Sequence, residues 1–252
     1  MRRIAFLPNL FTTGNMVCGV SAILLSLGGT TEDLERACWM ILLAILLDGL
    51  DGIIAVLTRS CTKFGIQYDS LADLVSFGVA PAMLLVADFR LVEGEMARVT
   101  REYWAISVVL VVCVALRLAR YNVQAYTGEL KSFQGLPCPT PAGFIALLLL
   151  SFTKYGYHLP PEALMVIVIA LGILMVSSVR YPSLKKSDFF KTQPLSSFLL
   201  VVLGFGLVVM EPIASLLLIL SGYILFGVLN RLVPTPLLEH LHRFADAGKR
   251  PL

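Results

Sequence analysis

Charge is what this chain has least of. Only 15% of its 252 residues are Asp, Glu, Lys or Arg, where a soluble domain carries about 25%. That scarcity argues against an ordinary soluble globular protein. The five cysteines, Cys18, Cys38, Cys61, Cys113 and Cys138, are scattered without a C-x-x-C pair or a histidine at ligand spacing. They give no ground for a disulfide framework or a zinc site. His240 and His242 lie in a charged tail and read as solvated surface residues. Basic residues are nowhere dense enough for a nucleic-acid face, so no nucleic-acid partner is expected. No internal repeat, low-complexity tract or soluble domain interrupts the chain.

What remains is hydrocarbon. Hydrophobic residues make up 57% of the chain, and the mean hydropathy is +0.82. Several windows approach the ~20 apolar residues needed to cross a bilayer. The pattern predicts an all-α, polytopic membrane helical bundle with eight spans, at about 9–28, 37–57, 67–87, 103–123, 141–157, 161–179, 195–210 and 212–230. Asn9, Thr12, Thr13 and Asn15 make the first span polar at its start, and Glu211-Pro212 is the expected turn between the last two. The opening MRRIAFLPNLF has the look of a secretory signal, but Pro8, Asn9 and Asn15 break its apolar stretch. An uncleaved first span is therefore expected. Residues 1–233 read as a single integral-membrane domain, 88–102 as an outer loop and 234–252 as a cytoplasmic tail.

Basic residues orient the bundle. With eight spans and a cytoplasmic N-terminus, only Arg36, Arg90, Arg98, Arg101 and Lys154 of the 20 basic residues fall on the outer side. The expectation is a multi-pass protein of the cell (inner) membrane with both termini in the cytoplasm. A net charge of +3 suits loops resting on anionic lipid heads.

Against that apolar background stand four aspartates: Asp48-Gly-Leu-Asp51-Gly52-Ile-Ile-Ala55, then Gly65, Asp69 and Asp73. On helices, Asp48 and Asp51 are i, i+3 neighbours, and Asp69 and Asp73 are i, i+4 neighbours, so each pair projects from one face. A short loop brings the two helices antiparallel and lets the pairs meet. Ionised carboxylates in such surroundings are costly unless something positive satisfies them. Hard oxygen ligands suit Mg²⁺ or Mn²⁺, and two such ions at one site would clamp a diphosphate. Gly52, Ala55 and Gly65 remove side-chain bulk where a ligand would approach the backbone. Alone, two intramembrane aspartates would equally suit a proton relay or ion path. The glycines alone would suit helix packing.

The pattern D-x2-D-G-x2-A-x9-G-x3-D-x3-D over residues 48–73 resembles the motif of the CDP-alcohol phosphotransferase family, integral membrane enzymes of phospholipid synthesis. One position departs from it. The family places Arg directly after the motif Ala, where this chain has Val56; Arg59, one helical turn on, is the candidate to supply that charge. Further segments resemble the serine-transferring branch of the family: Phe6 to Asn15, Tyr68 to Pro81, Arg117-Leu-Ala-Arg120-Tyr-Asn122, Gly135-Leu-Pro137 and Arg180-Tyr-Pro-Ser. The resemblance runs from residue 6 to about 190. It implies a six-helix catalytic core, here with two further helices, usually as a homodimer.

It also implies roles. CDP-diacylglycerol and L-serine would be the substrates, with the acyl chains in membrane lipid and the cytidine diphosphate in a polar cavity. Asp48, Asp51 and Asp69 would bind two divalent cations, with Asp73 as a further ligand or as the general base that takes the serine proton. A free aspartate, with pKa ~3.9, is a weak base, so the site itself would have to favour that transfer. Arg117 and Arg120, i, i+3 on one helix, offer guanidinium forks to a carboxylate, although snorkelling to lipid phosphate is the competing role. Lys131 is a candidate for the lipid phosphate. Asn9, Thr12 and Asn15 form one polar helix face that either lines the nucleotide cavity or bonds between helices. Arg180, Lys185, Lys186 and Lys191 are further candidates for the lipid phosphate, and most of these basic residues read as interfacial anchors.

Alternatives stay open at this level. Another acceptor (inositol, glycerol phosphate or choline) or an ether lipid would use the same motif. A polyprenyl-type transferase would arrange its aspartates differently. A carboxylate-lined cation transporter would move ions and release no CMP. A phosphatidyl-histidine route is excluded, because His240 and His242 lack an H-x-K context.

Overall fold

Proline, glycine and threonine set most of the helix boundaries. The computed structural model describes residues 6–58, 62–94, 101–127, 135–157, 159–177, 179, 204 and 206–232, and every regular element among them is helical. In chain order these are α1 (Phe6–Ser26), α2 (Thr31–Leu57), α3 (Lys63–Asp73), α4 (Ala80–Glu93), α5 (Arg101–Thr127), α6 (Pro139–Tyr155), α7 (Pro161–Val176) and α8 (Pro212–Leu232). Three of them, α6, α7 and α8, begin at proline, whose missing N–H costs nothing in a first turn. Before α2, Thr30 Oγ1 accepts from the Asp33 backbone N–H at 3.1 Å and donates to Asp33 Oδ2 at 2.6 Å, closing the helix start in both directions. Gly156, at φ +67°, ends α6 in the left-handed conformation that glycine adopts without strain.

A π-helical turn, Leu74–Val79, joins α3 to α4, so that Lys63–Glu93 is one continuous apolar helix. Pro81 explains the widened turn. It has no N–H to donate, and its ring crowds the carbonyl four residues earlier. The backbone answers with a longer bond, Ala80 N–H to Val75 O.

The centre of the bundle is α6, whose Ile145 to Leu150 are all buried. Around it, α1, α2, α5, α7 and α8 turn Leu10, Val17, Leu24, Leu46, Leu116, Val166, Ile173, Leu218 and Leu225 outward. In water such a surface would be a large sticky patch; in a bilayer it is the expected lipid face. Among the described residues, five helices are long and apolar enough to cross a membrane: Pro8–Ser26, Thr31–Ala55, Lys63–Glu93, Arg101–Gln124 and Pro212–Leu229; Glu162–Val176 is apolar but shorter. The chain is thus an all-helical, polytopic membrane protein.

The expected span 195–210 falls mostly outside the described residues, although 206–210 is helical and Glu211 breaks the helix there as expected. One boundary needs correcting. The region read as an outer loop from residue 88 is still helical to Glu93, with Asp88 and Phe89 buried, and helix resumes at Arg101. Charges in the sequence there conceal a helix that outlasts its apolar run.

At one end of the bundle the last turn of α7 is gathered in by two other segments. Arg120 of α5 donates to the carbonyls of Val176 (2.9 Å) and Ser177 (3.4 Å). The Gly135 N–H bonds to Val179 O at 2.9 Å, and the Leu136 N–H to Leu174 O at 3.2 Å. A helix C-terminus leaves carbonyls without partners, and a guanidinium also suits its negative dipole end.

Gly135 has φ +83°, and a Cβ there would stand 2.3 Å from Met175 O. Gly94, at φ +100°, has nothing within 4 Å of its virtual Cβ. Gly135→Ala should therefore lower the thermal unfolding temperature well beyond Gly94→Ala. Backbone strain of about 1–3 kcal/mol applies to both, but an overpacking cost of about 1–3 kcal/mol applies to Gly135 alone. Equal losses in detergent-solubilised protein would mean that the contact with α7 contributes no stability.

Candidate active site

The start of α1, the latter part of α2, α3, the end of α5 and the start of α6 meet at the same end of the bundle. There the helical spacing of the aspartates takes effect. Asp48 and Asp51 reach from α2, Asp69 and Asp73 from α3, and the pairs cross. The carboxyl groups of Asp48 and Asp73 lie within hydrogen-bonding reach of each other, as do those of Asp51 and Asp69. One oxygen each from Asp48, Asp51 and Asp69 falls within a 4.8 Å cluster. Asp51 and Asp73 are buried, at 6% and 8% exposure. Like charges this close in a poorly polarisable setting repel strongly.

Several observations test whether a cation belongs there. The ligands are hard carboxylate oxygens from two helices, the donor set that Mg²⁺ and Mn²⁺ favour. Asp69 Oδ1 is buried without a hydrogen-bond partner among the described residues. No described lysine or arginine forms an ion pair with any of the four. The residues fit a divalent cation. Asp73 stands outside the three-residue cluster and is held instead beside Asp48 and α1.

Helix α1 supplies the polar wall. Thr12 Oγ1 donates to Asp51 Oδ2 at 2.9 Å, with Pro8 O at 3.2 Å as a second acceptor in reach. Asn15 Nδ2 donates to Asp73 Oδ1 at 3.2 Å. Asn9, Thr12, Gly52, Ala55 and Gly65 line one cavity of about 110 Å³ together with Asp51 and Asp69. Thr12 thus bonds between helices and also lines this cavity. A Cβ at Gly52 would meet nothing within 4 Å, so no neighbour requires glycine there, and its bareness leaves the cavity open. Gly65 is different: its N–H caps onto Thr62 Oγ1 at 3.0 Å, and a Cβ would press on that oxygen at 3.1 Å.

The basic residues divide. Arg117 reaches the site, close enough to Asp48 to act on it electrostatically. Its Nη1 donates to Cys138 Sγ at 2.9 Å, while its buried Nε has no partner among the described residues. A thiol is a weak acceptor, so this guanidinium keeps capacity for an anion. Arg120 is spent in large part on the α7 carbonyls. Arg59, Lys131, Arg180, Lys185, Lys186 and Lys191 lie outside the described residues, as does the side chain of Val56.

Sequence reasoning missed several partners. Ser70 and Asn122 exchange hydrogen bonds, at 2.9 and 3.2 Å; Thr13 Oγ1 meets the Tyr68 hydroxyl at 2.9 Å; Cys138 receives Arg117. The polar residues of α1 hinted at the Thr13 contact. Nothing in the spacing of Cys138 or Ser70 did.

Comparison with known proteins agrees with this geometry. The family described as CDP-alcohol phosphatidyltransferase matches residues 5–179. A CDP-diacylglycerol–serine O-phosphatidyltransferase of Helicobacter pylori is 35% identical over 225 residues, covering 88% of this chain and 90% of that protein. A protein of the same name from Bacillus subtilis is 34% identical over 183 residues, 72% of this chain and 92% of the relative. An archaetidylserine synthase of Methanothermobacter thermautotrophicus is 39% identical over 181 residues, covering 70% of this chain and 69% of that protein.

A ligand that binds only the folded state stabilises it by about 2.7 kcal/mol at a hundred times its Kd. Mn²⁺ should therefore raise the unfolding temperature, and Asp69→Asn should abolish the increase. In metal-free protein the same substitution should raise the unfolding temperature, because one clustered negative charge is gone. A Mn²⁺ shift that survives Asp69→Asn would place the metal elsewhere.

Proposed function

Because the chain belongs to the CDP-alcohol phosphatidyltransferase family, we propose that it transfers the phosphatidyl group of CDP-diacylglycerol to the hydroxyl of L-serine, giving phosphatidylserine and CMP. The observation that carries the chemistry is the convergence of Asp48, Asp51 and Asp69 within 4.8 Å. The acceptor rests on the serine-transferring relatives.

Asp48, Asp51, Asp69 and, at the edge of the cluster, Asp73 are the residues that would hold two divalent cations, Mg²⁺ or Mn²⁺. When bound, such ions neutralise diphosphate charge and ease departure of the leaving oxygen. The protein does the rest. Asn9, Thr12, Gly52, Ala55 and Gly65 receive the nucleotide diphosphate, and Arg59 offers the charge that the family places at the position of Val56. Arg117, with its unpartnered Nε, holds the serine carboxylate, and Lys131 is the candidate for the lipid phosphate, while Arg120 offers only the capacity left over from the α7 carbonyls. Asp73 accepts the hydroxyl proton as the serine oxygen bonds to the lipid-side phosphorus. The phosphorus–oxygen bond to CMP breaks, and its electron pair leaves with CMP.

The distribution of basic residues supports placing this site and both termini on the cytoplasmic side of the cell membrane. In this reading residues 1–233 form one catalytic domain, working as a homodimer. The 39% identity to an archaetidylserine synthase favours one second reading, in which the same serine transfer acts on an ether-linked CDP-lipid.

Purified protein with Mg²⁺ or Mn²⁺ should release CMP from CDP-diacylglycerol when serine is added, and little with inositol, glycerol 3-phosphate or choline. Asp69→Ala should reduce that release to background. Faster release from the ether-linked donor would select the second reading. CMP that depends on a different acceptor would discard serine and keep the metal site. Failure of folded protein to release CMP with any acceptor would refute the proposal.

A further inference from the structure

Asn15 is fully buried, at 0% exposure, and it is gripped twice by the helix that carries Asp73. Its side-chain Nδ2 donates to Asp73 Oδ1 at 3.2 Å. Its backbone carbonyl accepts from Ser76 Oγ at 2.9 Å. Asp73 and Ser76 are i, i+3 neighbours, so one face of the helix presents both groups to a single residue of α1. Gly19, one turn beyond Asn15, allows that approach: a Cβ there would stand 2.3 Å from Ser76 Oγ and 2.7 Å from Ser76 Cα. The remaining polar atom, Asn15 Oδ1, is buried with no hydrogen-bond partner among the described residues. A buried amide that served only to fill space would waste that acceptor, since unsatisfied buried polar atoms are selected against. The one partner that its side chain does have is Asp73.

A carboxylate rotates about its Cβ–Cγ bond unless something fixes it. Here the Asp48 carboxyl lies within reach on one side and the Asn15 carboxamide binds an oxygen on the other. We propose that Asn15 is the positioning residue for Asp73. It sets the carboxylate plane in which the acceptor's proton is received, and Ser76 holds the Asn15 backbone in place. The inference rests on the reading of Asp73 as the base, and it adds a residue outside the aspartate motif to the machinery. Thr12, one turn earlier, fixes Asp51 in the same manner. Asn15 differs in acting on the proton acceptor, which stands at the edge of the cluster formed by Asp48, Asp51 and Asp69.

The test separates kcat from binding. Partners that orient a functional side chain typically change activity about 10–100-fold when removed. Asn15→Leu, close in shape but without the donor, should lower kcat in that range. KM for CDP-diacylglycerol, and Mn²⁺ affinity measured without turnover by the paramagnetic resonance of free Mn²⁺, should stay within about twofold. Ser76→Ala should show a smaller loss of the same kind. Asp73→Asn should be inactive, and adding Asn15→Leu to it should cost nothing more. Where Asn15→Leu does not fold, Asn15→Ser, too short to reach Asp73, should give the same kcat loss. Full activity of Asn15→Leu beside an inactive Asp73→Asn would overturn the role of Asn15 alone. An active Asp73→Asn would overturn the base reading and this inference with it. Mn²⁺ affinity falling in step with kcat would show that Asn15 acts through the metal site, which also refutes the proposal.

Discussion

Four carboxylates gathered at one end of an apolar bundle are the constraint around which the rest of the structure is arranged. Each is costly to remove from water, and each repels its neighbours. Two helices would splay apart under that repulsion unless something held them. Helix α1 does part of this, with Thr12 on Asp51 and Asn15 on Asp73. The remaining charge calls for cations, and the orphaned Asp69 oxygen marks where the protein has left ligand capacity unused. The carboxylates that fit a cation are thus the same groups whose mutual repulsion works against the bundle.

The surroundings of the site serve this arrangement. Gly19 brings α1 against the π-turn, and that turn, made necessary by Pro81, directly follows Asp73. Turns of this kind are frequent at functional sites; here it gives Ser76 its place against Asn15. On the other flank, Arg120 and Gly135–Leu136 gather in the end of α7. The segment Arg117–Asn122 therefore divides its work: Arg117 faces the carboxylates, Arg120 braces the wall, and Asn122 bonds Ser70 of α3.

Much of this was legible in the chain. Apolar runs predicted most of the described helices, because the bilayer demands length and low charge of any span, although α2 begins six residues before and α4 ends six residues after the expected bounds. The i, i+3 and i, i+4 spacing of the aspartates was enough to bring them to one face, and the bare positions Gly52, Ala55 and Gly65 were enough to suggest a ligand's approach. The misplaced outer loop shows the limit. Asp88 reads as a loop residue in sequence, yet it is buried within α4, one turn before the helix emerges at Val92 and Glu93.

Composition and spacing, then, determined by themselves that this is a membrane bundle with paired carboxylates projecting from one face of each of two adjacent helices. Both follow from local periodicity and from the energetic penalty on charge in hydrocarbon. Only the tertiary structure decided the pairing across helices: Asp48 with Asp73, Asp51 with Asp69, Asn15 with Asp73, and Arg117 with Cys138. It also decided that Arg120 serves a helix end, two residues from an asparagine that serves α3. Residues distant in sequence meet through packing angles and close approaches, and no period of 3.6 along one strand of sequence encodes those.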